Sequence, residues 1–341
     1  MTEEQIDPEQ IRLAGEILRG GGLVAFPTET VSGLGGDAFN TESSSTIYAA
    51  KGRPSDNPLI VHICRLEDME RVAVRISDEA WKLARAFWPG PLTMILHKCP
   101  DLPAETTGGL DTVAVRFPSN KIAQALIGAG GGFIAAPSAN RSGRPSPTLA
   151  RYCREDLDGR VEMIIDGGQV GLGLESTIID LTEKEPAILR PGFVTWEDLQ
   201  EVLGKVNAGS LAAAVTDGAP KAPGMKYRHY APKGRLTIVE GMPENRAAYI
   251  NDRLRRCREE GIRTGVICTD ETRDLYIADL VKSAGSRESE ESIARELFRI
   301  LREFDDEGAE EIYAESFDSS GIGRAVMNRL LKAAGQRIVH V

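Results

Sequence analysis

Hydrophobic and polar positions alternate in two different rhythms along this chain. Up to about residue 204, apolar runs at 23–26, 58–63, 92–97, 112–117, 133–137, 161–166, 176–181 and 187–190 are short enough to read as strands. Helical spacing appears between them. Asp7-Pro8 supplies an N-cap and a proline at N1, and Ile11, Ala14, Ile17 and Leu18 then share one face before Gly20-Gly21-Gly22 stops the helix. Thr41-Glu42 marks another start. A third helix begins at Ser77, turns Trp81, Ala84, Phe87 and Trp88 inward, and ends at Pro89-Gly90-Pro91. Many strands with a few helices among them predict an α/β or α+β domain.

From residue 235 the rhythm becomes regular. Strands expected at 236–240, 264–268, 311–314 and 338–341 are separated by helical stretches near 245–259, 291–304 and 324–334, the pattern of a small doubly wound domain. Between the two lies a segment with neither period. Its first half, Ala208 to Ala219, is rich in small residues and reads as a linker. Its second half, Pro220 to Pro232, crowds two tyrosines, a histidine and two cations into Lys226-Tyr227-Arg228-His229-Tyr230, which is unusual for a spacer. The expected division is 1–205, a linker at 206–234, and 235–341.

Composition narrows the class. With 41% hydrophobic and 27% charged residues, a 341-residue chain can build two cores. No apolar run approaches the length of a membrane span. The acidic, polar start predicts a chain without a secretory or transit peptide. Five cysteines without CxxC spacing argue against a zinc knuckle or disulfide framework and for a reducing, cytoplasmic setting. The net charge of −10, with 17 basic and 21 acidic residues in 235–341, is unlike that of a protein built mainly to grip nucleic acid.

The candidate chemistry sits at strand ends. Pro27-Thr28-Glu29-Thr30-Val31 places hydroxyls and a carboxylate after an apolar strand. Lys51-Gly52-Arg53-Pro54 places two cations on a stiff turn, where glycine permits close backbone approach to an anion and arginine can fork onto phosphate. Ala135 to Gly143 offers small residues with Ser138 and Asn140 as hydrogen-bonding groups, and the strand period puts Thr112, Ala114 and Arg116 on one face. Two glycine-rich stretches, Gly33 to Ala38 and Gly321 to Ala325, only partly match a dinucleotide fingerprint, and no P-loop occurs. With no cysteine nucleophile or histidine cluster indicated, the set points to a polar substrate held beside phosphate.

Together these motifs closely resemble one family. P-T-E-T-V-x-G-L-G, K-G-R-P-x-x-N-P-L-x-x-H, V-A-V-R-x-P, P-S-A-N-x-S-G, E-S-T and L-R-P-G occur in the order and rough spacing of the Sua5/YrdC family of L-threonylcarbamoyladenylate synthases. The P-G-M-K-Y-R-H-Y-A-P segment and the tail are similar to the longer Sua5 form. The resemblance implies a YrdC-like twisted open α/β sheet with a concave groove and a smaller Rossmann-like C-terminal domain. It also implies a reaction: L-threonine, bicarbonate and ATP give threonylcarbamoyl-AMP, pyrophosphate and water. The product would supply a downstream transferase complex that makes t6A at A37 of ANN-decoding tRNAs.

Carried onto this chain, the resemblance implies that Thr30, His62, Arg116, Ala136 and Ser176 contact threonine. Arg53, Asn57, Thr112, Ser138, Ser146, Arg190, His229 and Tyr230 would surround ATP, and Lys51 and Arg53 would act at the phosphates or carbamate. Magnesium would arrive with ATP, without a direct protein ligand. The segment Tyr227 to Tyr230 would close over the nucleotide as a lid. Ser32 departs from the tyrosine usual in the family. Two other readings fit parts of the pattern: an RNA-binding module, with weak RNA contact, and a carbamoyltransferase accessory protein, although this chain lacks the acylphosphatase and zinc-finger segments of the latter.

Overall fold

Asp7 caps the first helix as its position predicts, its carboxylate accepting from the backbone of Glu9 and Gln10 at 2.9 and 3.3 Å. The computed structural model describes residues 1–208, 220–222 and 229–341. They form two units: 1–142, 146–171 and the described part of 175–227 in the first, and 143–145, 172–174 and the described part of 228–341 in the second.

In chain order the first unit contains α1 (Pro8–Arg19), β1 (Val24–Phe26), β2 (Gly33–Asp37), α2 (Thr41–Lys51), β3 (Ile60–His62), α3 (Met69–Val72), β4 (Ala73–Val74), α4 (Asp78–Phe87), β5 (Leu92–Lys98), β6 (Thr112–Arg116), α5 (Lys121–Ala129), β7 (Ile134–Ala136), α6 (Ala150–Leu157), β8 (Met163–Ile164), β9 (Thr177–Asp180), β10 (Ala187–Arg190) and α7 (Trp196–Leu203). The described strands make one open, mixed sheet in the order β10-β9-β5-β6-β3-β7-β2-β1-β8, with β4 beside β5.

The two sheet faces are buried differently. One packs Val61, Met94, Leu96, Val113, Val115 and Ala135 against α2 and α4 through Ile47, Leu83 and Ala84. On the other, α1 and α5 cover the β1–β2–β7 end through Leu18, Ile122 and Leu126. Over β3, β6, β5 and β9 that same face carries a smaller apolar group of Ile60, Ile95, Ala114, Ile178 and Ala222. Val113 and Val115 therefore point to the main core while Ala114 points away, the alternation expected for Thr112, Ala114 and Arg116.

One glycine-rich stretch resolves differently from a dinucleotide turn. Gly33–Asp37 is strand β2, antiparallel to β1. Its glycines make room for a ring: a Cβ on Gly35 would stand 2.9 Å from Phe26 and 2.8 Å from Ile134. Close packing, rather than phosphate approach, accounts for them.

The second unit contains β11 (Arg235–Glu240), α8 (Pro243–Glu259), β12 (Thr264–Cys268), β13 (Leu280–Ser283), α9 (Glu290–Glu307), β14 (Glu311–Glu315), α10 (Gly323–Ala333) and β15 (Ile338–His340). Its strands are all parallel, in the order β13-β12-β14-β11-β15. This is the doubly wound arrangement anticipated for 235–341, with one addition. Strand β13 escapes the hydrophobic pattern because it is a half-buried edge containing Lys282 and Ser283.

Candidate functional site in the first unit

Strand register assembles the site. His62 on β3 lies opposite Arg116 on β6, and Arg116 lies opposite Thr93 on β5. Directly opposed residues share a face, so these three side chains form a row on the face that carries Ile60 and Ala114. Two residues along, Ala136 lies opposite Ile60 on the same face.

Arg116 organises the middle of the row. It is buried and forms an ion pair with Glu29 at 2.7 Å, donates to the Thr30 hydroxyl at 2.8 Å and reaches the Gly90 carbonyl at 3.4 Å. Thr30 is held in turn by the Thr28 hydroxyl at 2.9 Å, and Thr28 donates to the Val31 carbonyl at 2.7 Å. Burial alone would raise the Glu29 carboxyl. The charge and hydrogen bond of Arg116 reverse that and hold it below its ordinary value.

His62 is buried beside this pair, with its ring edge-on to Phe26 at 6.3 Å. Burial first, and the neighbouring Arg116 charge second, push its pKa down to about 3. Nδ1 lies 3.1 Å from the Ile60 carbonyl, which can only accept, so this contact places a ring proton on Nδ1.

A second hydrogen-bonded chain continues from Thr93. Its hydroxyl meets that of Ser176 at 2.7 Å, and Arg190 donates to the Ser176 carbonyl at 3.0 Å and hydroxyl at 3.1 Å. All three residues are buried. Ser146 donates to the Glu175 carboxylate at 2.6 Å.

The cations at the Lys51 turn do different work. Helix α2 ends at Lys51 because Gly52 takes a left-handed conformation, φ +63°. Buried Lys51 directs Nζ onto the carbonyls of Ser138 and Asn140, tying the helix end to the loop after β7. That loop is also held by Ser32, whose carbonyl accepts from Ala139 at 2.8 Å. Arg53 instead braces its own turn, donating to the carbonyls of Asn57 at 3.1 Å and Pro58 at 2.9 Å. Asn57 is buried, and its side-chain oxygen has no hydrogen-bond partner among the described residues.

Thr30, Arg116, His62, Ala136, Ser176 and Arg190 are thus linked through register and hydrogen bonds, with Ser138 on the adjoining loop. Thr112 begins β6 on the same face, two steps from Ala114. His229 and Tyr230 belong to the second unit, where the Tyr230 ring stacks on Phe298 at 5.0 Å. Tyr227 and the segment 223–228 lie outside the described residues. Part of the linker nevertheless belongs to the first unit. Ala222 is buried among Ile60, Ile95, Ala114 and Ile178, and Lys221 pairs with Asp180 at 3.2 Å and with Glu183.

The sequence marks the Glu29 motif as candidate chemistry but assigns no contact to Glu29, Thr93 or Glu175. Each had a signal: a carboxylate between two threonines after an apolar strand, a lone hydroxyl within an apolar strand, and a carboxylate beside Ser176. What was lacking was knowledge of the face each would occupy.

Comparison with known proteins agrees with this architecture. Residues 16–192 match the Sua5, YciO and YrdC family described as telomere recombination, and residues 194–335 match the threonylcarbamoyl-AMP synthase C-terminal domain. The threonylcarbamoyl-AMP synthase of Pyrococcus abyssi is 47% identical across 100% of this chain and 98% of its own length. That of Bacillus subtilis is 47% identical across 98% and 95%. The crystal structure of P. abyssi Sua5 complexed with L-threonine superposes with a TM-score of 0.93, covering 99% of this chain and 97% of that one. These proteins share both domains in the same order, and the chain belongs to the Sua5/YrdC family of threonylcarbamoyl-AMP synthases, nucleotidyltransferase-type enzymes, in its two-domain Sua5 form.

Proposed function

We propose that this protein converts L-threonine, bicarbonate and ATP into threonylcarbamoyl-AMP, pyrophosphate and water, and that the product supplies t6A formation on ANN-decoding tRNAs in the cytoplasm. The observation that carries the reading is the buried pairing of Arg116 with Glu29, joined to Thr30. A cation and an anion side by side suit the carboxylate and ammonium of an amino acid, and the adjoining hydroxyls suit its polar side chain. The threonine complex of the P. abyssi relative supports this assignment.

The chemistry has two steps. The threonine amine, after losing a proton, attacks bicarbonate and water departs, leaving an N-carboxylate. One of its oxygens then forms a bond to the α-phosphorus of ATP in line with the bond to the β-phosphate oxygen, which breaks to release pyrophosphate. The carbamate is labile in water, so the protein's task is to hold it dry and aligned. Arg116 holds the amino-acid carboxylate. Thr30 and Ser176 fix polar groups of the substrate, and Ala136 leaves room for it on the sheet face.

On the phosphate side, Ser138, Ser146, Asn57, Thr112 and Arg190 surround ATP. Lys51 and Arg53 set the positive potential of the adjoining loops, and Lys51 fixes the loop carrying Ser138 and Asn140. Magnesium, bound to the triphosphate, would neutralise phosphate charge. The resemblance alone would give His229 and Tyr230 a place in the nucleotide environment, and the linker, held at Lys221 and Ala222, would serve as a lid.

The test is pyrophosphate release from ATP with magnesium, with and without L-threonine and bicarbonate, followed by mass analysis of the nucleotide product. Release that requires both, with the mass of threonylcarbamoyl-AMP, is the expected result. Release independent of threonine would refute the assignment.

A further inference from the structure

The second unit contains a cavity of about 280 Å³ lined by Arg246, Arg287, Glu290, Ser316, Asp318 and Gly323, among others. Its residues take no part in the reaction proposed above. The cavity opens at the carboxyl ends of neighbouring parallel strands β11 and β14, because Arg246 lies in the first turn of α8 and Ser316 follows β14. From β11 the chain crosses past β14 to β12, whereas from β14 it crosses past β11 to β15. Right-handed crossovers in opposite directions place α8 and α10 on opposite faces of the sheet. The gap between β11 and β14 is therefore a topological switch point, where open α/β sheets bind ligands.

The chemistry of the cavity suits an anion. Residues from the first turns of two helices line it, Glu290 and Ile293 of α9 and Gly323 of α10, and the α10 N-terminus has no side-chain cap of its own. Arg246 is only 5% exposed and donates to the Ser316 carbonyl and hydroxyl at 3.1 and 3.2 Å, while its Nε has no hydrogen-bond partner among the described residues. Arg287 donates to the same carbonyl at 3.3 Å and pairs with Glu315 behind the wall.

The chain already places a carboxylate at the position an anion would take. Glu290 accepts from the Gly323 amide at 2.9 Å. A Cβ on Gly321 would stand 3.0 Å from a Glu290 oxygen, while a Cβ on Gly323 would first meet the Asp318 carbonyl at 2.4 Å and then Glu290 at 3.0 Å, so a side chain at either position would crowd this cradle. Asp318 turns its carboxylate to Ser320, whose amide and hydroxyl donate to it at 2.9 and 3.0 Å.

We propose that this cavity binds the phosphate group of a small phosphorylated ligand at the N-terminus of α10, beside Arg246, with Glu290 as the internal anion that the ligand displaces. The experiment follows the Gly321 and Gly323 amides and the Arg246 Nε–H by 15N NMR of the full chain. One arm is titrated with inorganic phosphate and the other with glycerol 3-phosphate. These signals report the second unit alone, whatever binds to the first. Saturable shifts are expected, with affinity raised at least about tenfold in Glu290→Gln, where like-charge repulsion is gone, and lowered in Arg246→Lys. Tighter binding of glycerol 3-phosphate would assign the site to a phosphate ester, and the reverse to free phosphate. No saturable shift in either arm for folded Glu290→Gln would overturn the proposal, as would unchanged affinity in folded Arg246→Lys. If Arg246→Lys fails to fold, Glu290→Gln decides alone.

Discussion

Arg116 and Glu29 meet at 2.7 Å with both side chains nearly excluded from water. In a buried pair each charge is tolerable only because of the other, so the two residues are energetically one unit. Thr30 and the Gly90 carbonyl each take one further donor of Arg116, which helps to fix the guanidinium plane on the sheet face and leaves other N–H groups for a ligand. Threonine binding must engage this pre-set arrangement.

Removing the anion should therefore cost more than removing an exposed charge. Glu29→Gln leaves Arg116 buried without its counter-charge, and we predict a loss of about 3 kcal/mol in unfolding free energy. Denaturant unfolding checks this, and an unchanged midpoint would refute it. The Glu29 carboxyl is held below its ordinary value, so its contribution is fully present above that value and lost as pH falls through the depressed one. The variant should accordingly show less acid sensitivity than the parent.

His62 behaves oppositely as a titrating group. With its pKa pushed down to about 3, it remains neutral across the neutral and mildly acidic range. The unfolded chain takes up a proton near pH 6.5, which the folded chain does not, so stability falls with acid between that pH and about 3, with a slope approaching 1.4 kcal/mol per unit. Ring-proton NMR should show no His62 titration near 6.5. His62→Asn should flatten the dependence of unfolding free energy on pH, and an identical slope would count against the assignment.

Lys51 joins two parts of the site through carbonyl oxygens of Ser138 and Asn140. Lys51→Met should lower turnover by about a hundredfold or more, as positioning and positive potential are lost together. Leaving carbonyls unsatisfied should also cost about 1–3 kcal/mol of stability. Turnover and thermal unfolding, measured on the same preparation, separate the two effects. Normal turnover would remove Lys51 from the mechanism.

Ala222 fastens the linker to the site face by apolar burial, and Lys221 adds an outer ion pair. Ala222→Asp would place a carboxylate among Ile60, Ile95, Ala114 and Ile178, so the linker should lift rather than bury it. Turnover should fall while the unfolding temperature changes little. Lys221→Ala should be mild in stability, less than about 1 kcal/mol, because the lysine is substantially exposed. Full activity in Ala222→Asp would refute the lid role.

Much of the fold is legible in the sequence. The N-cap at Asp7, the alternation in Thr112–Arg116 and the strand–helix rhythm after residue 235 all follow from local periodicity and capping. Gly33–Asp37 was not legible as a strand, because its glycines answer to the Phe26 ring on a neighbouring strand rather than to a local turn. Strand β13 was hidden by its half-buried edge position.

For the site, amino-acid order determined which motifs exist: a carboxylate among threonines, cations at a glycine turn, and an arginine on an inward strand face. Those are local facts, set by side-chain chemistry and by periods of two and 3.6 residues. Only the tertiary structure decided that Arg116 pairs with Glu29, that Thr93 bridges towards Arg190, and that Arg53 spends hydrogen bonds on its own turn while Lys51 reaches across to another loop. Such partners are chosen by strand order and register between distant segments. The same residue spacing is compatible with many pairings until burial makes each unsatisfied charge and hydroxyl costly enough to select one.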